Sequence, residues 1–196
     1  MANKWYNNIM NNKTPIFWDE SYAKAFDYRD LSKSVLTKIF NAKKNITSFL
    51  DLGSGTGGLM RKLEEKNITS SGVEWSKEAI KLAIERGTKG KIYEGNLDEI
   101  ENLSLPEKFD IISIKLVLAF ISNRAYLLNW CKEHLNPGGI VVINTPVISK
   151  TKFCNKPGIA IKEEEVNALL KMAFNKVELV DIEEALVGPV HTYFCS

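Results

Sequence analysis

Four of the chain's 12 glycines fall within six positions, in the run Asp51-Leu52-Gly53-Ser54-Gly55-Thr56-Gly57-Gly58. Glycines in such a run permit positive φ and let a ligand approach the backbone without meeting a Cβ. The helix that follows such a turn presents free N–H groups to the same ligand. Glu74 lies 21 residues beyond Gly53. A carboxylate at that place accepts both hydrogen bonds of a ribose diol, the way α/β domains hold adenosine cofactors. Gly53, Gly55 and Gly58 also satisfy G-x-G-x-x-G, so these residues point to an adenosine-containing cofactor and leave a dinucleotide open.

A strand must lead into that turn and a helix must leave it, and the hydrophobic pattern supplies both. Thr47 to Leu52 reads as a short apolar strand, and Leu59 to Lys66 as a helix with Leu59, Met60 and Leu63 inward. Before them, Leu31, Val35, Leu36, Ile39 and Phe40 recur at helical spacing up to about Asn41. After them come strands at Ser71 to Trp75, Lys91 to Glu94, Phe109 to Ile114 and Ile140 to Ile143. The run from Phe109 is continuously apolar, as in a strand buried on both faces. Ser76 is placed to cap a helix ending at Gly87, and Ser122 to cap one running through Leu135, which Asn136-Pro137-Gly138-Gly139 stops. Glu163-Glu164-Glu165 opens a helix with Val166, Leu169, Leu170 and Phe174 inward. Two strands, about Lys176 to Glu183 and His191 to Cys195, close the chain through Gly188-Pro189. That connection is too short for a right-handed crossover, so the last strand is expected antiparallel. Five βα units and a closing pair describe an α/β domain with a mostly parallel sheet.

The 196 residues suit one domain of ordinary size, and 44% hydrophobic with 26% charged suits a buried core. Twenty-six Lys and Arg against 24 Asp and Glu leave a charge of +2, which excludes a strongly basic nucleic-acid binder or an acidic tail. No run approaches the 18 or so apolar residues of a membrane span, and the polar start is unlike a signal sequence. Cys131, Cys154 and Cys195 are odd in number and lack metal-ligand spacing, so reduced thiols, a cytoplasmic location and no metal are expected.

The whole pattern, with an acid two residues before the first glycine, narrows the cofactor through a family resemblance. Leu50-Asp51-Leu52-Gly53-Ser54-Gly55-Thr56-Gly57 resembles motif I of the class I S-adenosylmethionine-dependent methyltransferases. Gly72-Val73-Glu74-Trp75-Ser76 resembles the acidic motif that follows it, and Glu94-Gly95-Asn96-Leu97 the segment lining the adenine. Lys108 to Ser113 and Leu135 to Gly139 resemble the family's fourth strand and the turn before its fifth. The resemblance implies a Rossmann-like three-layer sandwich whose seven-stranded sheet has the order 3-2-1-4-5-7-6, with strand 7 antiparallel. It implies a single domain over 1–196, with an aromatic cap at 1–45 and a cofactor-binding core at 46–196. For the site it implies Asp51 near the methionine amino group, Gly53, Ser54, Gly55 and Gly57 along the methionine part, and Glu74 on the ribose. Trp75 offers its ring to the adenine, Asn96 an amide oxygen to the adenine amino group, and Leu97 a backbone N–H to the ring edge. Asn96 departs from the family's commoner Asp. Val117-Leu118-Ala119-Phe120 stands where related small-molecule enzymes often carry paired histidines, so a histidine mechanism there is excluded.

Methyl transfer from a sulfonium is an in-line displacement that demands alignment and exclusion of water. A general base is needed only when the acceptor must lose a proton. His191 is a candidate on the ligand-side rim beside Glu183 and Glu184, with a solvated surface position as the plainer reading. His134 is expected at the opposite end in a structural role. Lys115, just past the fourth strand, is a candidate to touch the cofactor or hold an anionic acceptor, against a solvated head on a packed stem. Asn144 and Thr145, closing the fifth strand before Pro146, also face that rim. Trp18, Tyr22, Phe26 and Tyr28 suit a lid over the acceptor, or equally a core-facing stripe. Trp18, Tyr22, Tyr28, Phe120 and Asn144 are thus the candidate acceptor pocket. The expected function is transfer of a methyl group from S-adenosylmethionine to a small molecule by a monomer or homodimer. A protein, peptide or RNA acceptor, a non-catalytic S-adenosylmethionine-binding protein and an NAD(P)-dependent oxidoreductase are the alternatives.

Overall fold

The computed structural model describes residues 14–24, 31–106, 108–149, 159–185 and 188–196. Its strands are β1 (Ser48–Leu52), β2 (Thr69–Glu74), β3 (Lys91–Glu94), β4 (Phe109–Lys115), β5 (Leu135–Ile148), β6 (Ile161–Lys162), β7 (Val177–Ala185) and β8 (Gly188–Cys195). They form a sheet of order β3-β2-β1-β4-β5-β8-β7, with β6 beside β5 off that path. The strands from β3 to β5 are parallel, and β8 runs antiparallel to both β5 and β7. This is the expected 3-2-1-4-5-7-6 arrangement with its antiparallel last strand. The numbers shift by one because β6, only two residues long, has no hydrophobic period to mark it.

The helices are α1 (Pro15–Ala23), α2 (Lys33–Ala42), α3 (Gly58–Glu64), α4 (Lys77–Glu85), α5 (Arg124–Glu133) and α6 (Glu163–Ala173). Strand side chains alternate between two cores, as the twofold strand period requires when both faces are covered. Leu50, Leu52, Ile112, Ile114, Val141 and Ile143 pack against Leu127 and Leu128 of α5 and Val166 and Leu170 of α6. Phe49, Ile111 and Val142 pack against Val35 and Ile39 of α2 and Leu59, Met60 and Leu63 of α3.

Three local expectations are corrected. Asn123 caps α5, its Oδ1 accepting from Tyr126 N at 3.2 Å, while Ser122 N donates to Asp98 Oδ1. Asn136 to Gly139 lies inside β5 and not ahead of it. It forms a bulge between the register pairs Phe109↔Leu135 and Ile111↔Ile140, with Gly138 at φ +69°. β5 also runs on past Pro146, which pairs with Val190. β4 has ended opposite Asn144, so a proline is tolerated there.

Asp110 clamps the amino end of the sheet. Its Oδ2 accepts from Thr47 N, Thr47 Oγ1 and Ser48 N at 2.8, 2.9 and 3.1 Å, and its Oδ1 from Asn136 Nδ2 at 3.0 Å. Lys43 Nζ lies 3.4 Å from Oδ1. These donors hold the carboxyl well below the ordinary carboxylate range despite its burial. His134 sits at this same end, capping α5 and stacked on Trp130 with ring centroids 3.8 Å apart. Among the described residues, no helix is long and apolar enough to cross a membrane.

Candidate functional site

The carboxyl end of β1 delivers the chain into the glycine turn. Gly53 N and Ser54 N both donate to Val73 O, at 2.8 and 3.0 Å, which ties the turn to β2. Gly53 and Gly55 have φ of +75° and +53°, which L residues rarely adopt. A Cβ on Gly53 would lie 2.3 Å from Val117 Cγ2, and one on Gly55 2.8 Å from Tyr22 Oη. The turn is therefore pressed between the exit of β4 and helix α1.

Glu74, at the end of β2, is buried and reaches back to the turn. Its Oε2 accepts from Gly55 N at 2.8 Å, and its Oε1 from Trp75 N and Ser76 N at 3.0 and 2.9 Å. Burial raises its carboxyl above the ordinary value, and Asp51 nearby adds to this. The three N–H groups oppose the rise without cancelling it. Asp51 lies fully buried beneath the turn and accepts from Ser113 Oγ on β4.

Above the turn and Glu74 lies a cavity of about 270 Å³. Ser54, Gly55 and Thr56 of the turn line it, with Trp75 after β2 and Gly95, Asn96, Leu97 and Asp98 after β3. Lys115, the last residue of β4, and Leu116, Val117, Phe120, Ile121 and Ser122 beyond it also line the cavity. Leu116 holds φ +59°, and its N–H donates to Asn144 O at 2.7 Å. Trp18 and Tyr22 of α1 complete the lining. Trp18 meets Phe120 edge to face, with centroids 5.1 Å apart at 82°. Asp19 fixes α1, its Oδ1 accepting from Ser76 Oγ at 2.6 Å and from Glu78 N at 3.1 Å.

Of the sequence-derived candidates, Gly53, Ser54, Gly55, Glu74, Trp75, Asn96, Leu97, Lys115, Trp18, Tyr22 and Phe120 line the cavity together. Asp51 and Gly57 support the turn from behind. A Cβ on Gly57 would meet Thr88 Oγ1 at 2.3 Å. Tyr28 and Phe26 lie outside the described residues. Asn144 is not in the lining. It sits in the sheet, its Nδ2 donating to Thr192 Oγ1 at 2.8 Å. His191 is neither on a solvated rim nor in the cavity. The strand turns it under the sheet, where it is 4% exposed, 3.0 Å from Tyr193 Oη and 3.9 Å from Glu163 Oε1. Glu183 does not pair with it across the ladder, where Ile182 faces His191. Burial, with Glu163 adding, pushes the Tyr193 hydroxyl up to about 12.

Asp98, Thr56, Leu116, Val117 and Ser122 were not anticipated from the sequence. For Asp98 the signal was present: it stands two residues beyond Asn96, the spacing of an Asx cap. The others are placed by loop geometry, which has no period.

A family model described as a methyltransferase domain matches residues 43–186. The chain belongs to the class I S-adenosylmethionine-dependent methyltransferases. This methyltransferase is 26% identical over 184 residues to an uncharacterised methyltransferase of Alkaliphilus oremlandii, covering 91% of this chain and 77% of that one. It is 31% identical over 140 residues to an uncharacterised protein of Methanocaldococcus jannaschii, covering 70% and 62% of the two chains. Among solved structures, the plantazolicin methyltransferase BamL, in complex with a triazolic desmethyl analogue and S-adenosylhomocysteine, superposes with a TM-score of 0.68 at 16% identity. That match covers 97% of this chain and 94% of the other. TehB from Haemophilus influenzae gives 0.69 at 16% identity, covering 91% and 66%. Both likenesses are of fold.

Proposed function

We propose that this methyltransferase transfers the methyl group of S-adenosylmethionine to a small-molecule acceptor held between α1 and the loop after β4. The observation that carries the reading is the Gly55–Glu74 hydrogen bond at the base of the cavity. It joins the glycine turn to a buried carboxylate, one surface suited to an amino-acid moiety and a ribose diol together. Two atoms in the lining residues support the fit. Ser54 Oγ and Trp75 Nε1 are buried yet make no hydrogen bond, a cost that a polar ligand beside them would relieve.

Bound S-adenosylmethionine supplies an electrophilic methyl group with a neutral leaving group. In this reading, Gly53, Ser54 and Gly55 cradle the methionine part, Glu74 accepts the ribose hydroxyls, and Trp75 and Leu97 flank the adenine. Trp18, packed on Phe120, covers the cavity and excludes water, which strengthens the polar contacts beneath. Lys115 is the cation among the described lining residues, and in this reading it attracts an anionic group on the acceptor. Among the described residues no histidine or cysteine lines the cavity, which favours an acceptor that attacks without prior proton removal.

Enclosure by α1 favours a small acceptor over a protein or RNA. Mitomycin 7-O-methyltransferase and an arsenic(III) methyltransferase are among the proteins sharing the fold. The test is incubation with S-adenosylmethionine labelled on its methyl group and a cell extract split into small-molecule, protein and RNA fractions. Label should enter the small-molecule fraction. Label in protein or RNA alone, or calorimetric binding of NADH without S-adenosylhomocysteine, would overturn the proposal.

A further inference from the structure

The segment that lines the cavity beyond β4 is tied down near both ends. Leu116 N donates to Asn144 O at 2.7 Å, and Ser122 N and Asn123 N donate to Asp98 Oδ1 at 2.8 and 3.2 Å. Between these ties the chain makes a short helical turn, Leu118–Phe120, in which Phe120 N donates to Val117 O and Ile121 N to Leu118 O at 2.8 and 3.3 Å. A turn this short has little stability of its own, because starting a helix fixes several dihedrals for each hydrogen bond gained. Yet it carries Phe120, the cavity residue whose ring meets Trp18.

Arg124, the first residue of α5, holds that turn. Its Nε donates to Leu118 O at 3.0 Å, its Nη2 to Ala119 O at 3.1 Å and its Nη1 to Glu165 Oε1 at 2.8 Å. Three nitrogens of one planar group thus serve three acceptors, a span that the compact ammonium of a lysine cannot match. Glu165 stands in the first turn of α6, where a carboxylate is favoured, and the next residue, Val166, is fully buried in the core. The Arg124 and Glu165 side chains are 26% and 45% exposed, so their ion pair contributes little to overall stability. Its effect is local: it links a packed helix to a turn that is weak by itself.

We propose that Arg124 is a positioning residue for the acceptor: its guanidinium, anchored on Glu165, fixes the Leu118–Phe120 turn so that Phe120 holds Trp18 over the cavity. The inference rests on the reading above, in which the acceptor lies between α1 and the loop after β4. Arg124 is not among the residues lining the cavity, so it acts on the acceptor through Phe120. Arg124→Gln removes the charge and the three-way fork, whereas Arg124→Lys keeps the charge and loses the fork alone.

The experiment joins amide hydrogen exchange, read by NMR, to methyl transfer from labelled S-adenosylmethionine into the small-molecule fraction of a cell extract. In both variants the Phe120 and Ile121 amides should exchange about tenfold or more faster, while Leu50 in β1 exchanges as before. The extract concentration giving half-maximal transfer should rise by about tenfold, with the saturated rate and the S-adenosylhomocysteine Kd each within about threefold of the unmodified protein. A loss of stability alone would instead speed Leu50 along with Phe120 and Ile121, and that result overturns the proposal. Unchanged exchange at Phe120 and Ile121 in Arg124→Gln, or full rescue by Arg124→Lys, also overturns it. Failure of the unmodified protein to label any small molecule overturns the proposed function and the acceptor role together, while the exchange data still decide whether Arg124 holds the turn.

Discussion

Asp110 allows stability to be separated from the site. In Asp110→Ala, Thr47 N, Thr47 Oγ1, Ser48 N and Asn136 Nδ2 lose their acceptor and Lys43 loses its ion-pair partner. Breaking such a buried, hydrogen-bonded charge costs about 3–5 kcal/mol. For a chain of this size that lowers Tm by roughly 10 °C. Asp110→Asn keeps the side-chain shape but turns a donor toward Asn136 and Lys43, so a loss of about 1–2 kcal/mol is expected at neutral pH. The carboxyl is held below its ordinary value, so the unfolded chain takes up the proton first as pH falls. Its stabilising contribution is therefore complete above about pH 4 and is lost below that, through the lowered folded-state value. Urea unfolding of the unmodified protein and Asp110→Asn between pH 7 and 3 should show their stability gap closing with acid. Asp110 lies five residues from Lys115 along β4, about 17 Å at strand spacing, so both variants should bind S-adenosylhomocysteine normally while folded. A gap independent of pH, or binding weakened more than about threefold in the folded variants, would refute this reasoning.

Three further outcomes test the site and its walls. In the proposed reading Glu74 accepts the ribose hydroxyls as a carboxylate, and burial raises its carboxyl, so S-adenosylhomocysteine affinity should fall with acid at a higher pH than an ordinary glutamate would give. Glu74→Gln should bind weakly at every pH, which calorimetry at a series of pH values checks. Gly53→Ala combines φ +75° with a Cβ 2.3 Å from Val117 and should cost about 2 kcal/mol or more and abolish binding, as thermal melts with and without ligand would show. Leu116→Gly relieves a left-handed residue and should instead raise stability by up to about 1 kcal/mol in the same melts.

Much of the fold was legible because its signals are local and periodic. The continuous apolar run at Phe109 announced a doubly buried strand, and Ser76 caps α4 as expected, its Oγ accepting from Ala79 N at 3.1 Å. Where no period exists, the reading failed. β6 is two residues long, and Asn136 to Gly139 has the composition of a turn that the neighbouring β4 draws into a bulge.

At the site, residue types and spacing determined that Gly53, Gly55 and Glu74 converge, because a strand's length and a turn's φ requirement are properties of the chain itself. Tertiary structure alone decided the rest. His191 looked like a rim residue until the strand register put it under the sheet beside Tyr193. Trp18 and Tyr22 fit a lid and a core stripe equally well until Asp19 anchored α1 to α4 and laid both rings on the cavity. The division follows from range. Backbone preferences act within a few residues and can be read in order, whereas the direction a side chain faces depends on partners dozens of residues away.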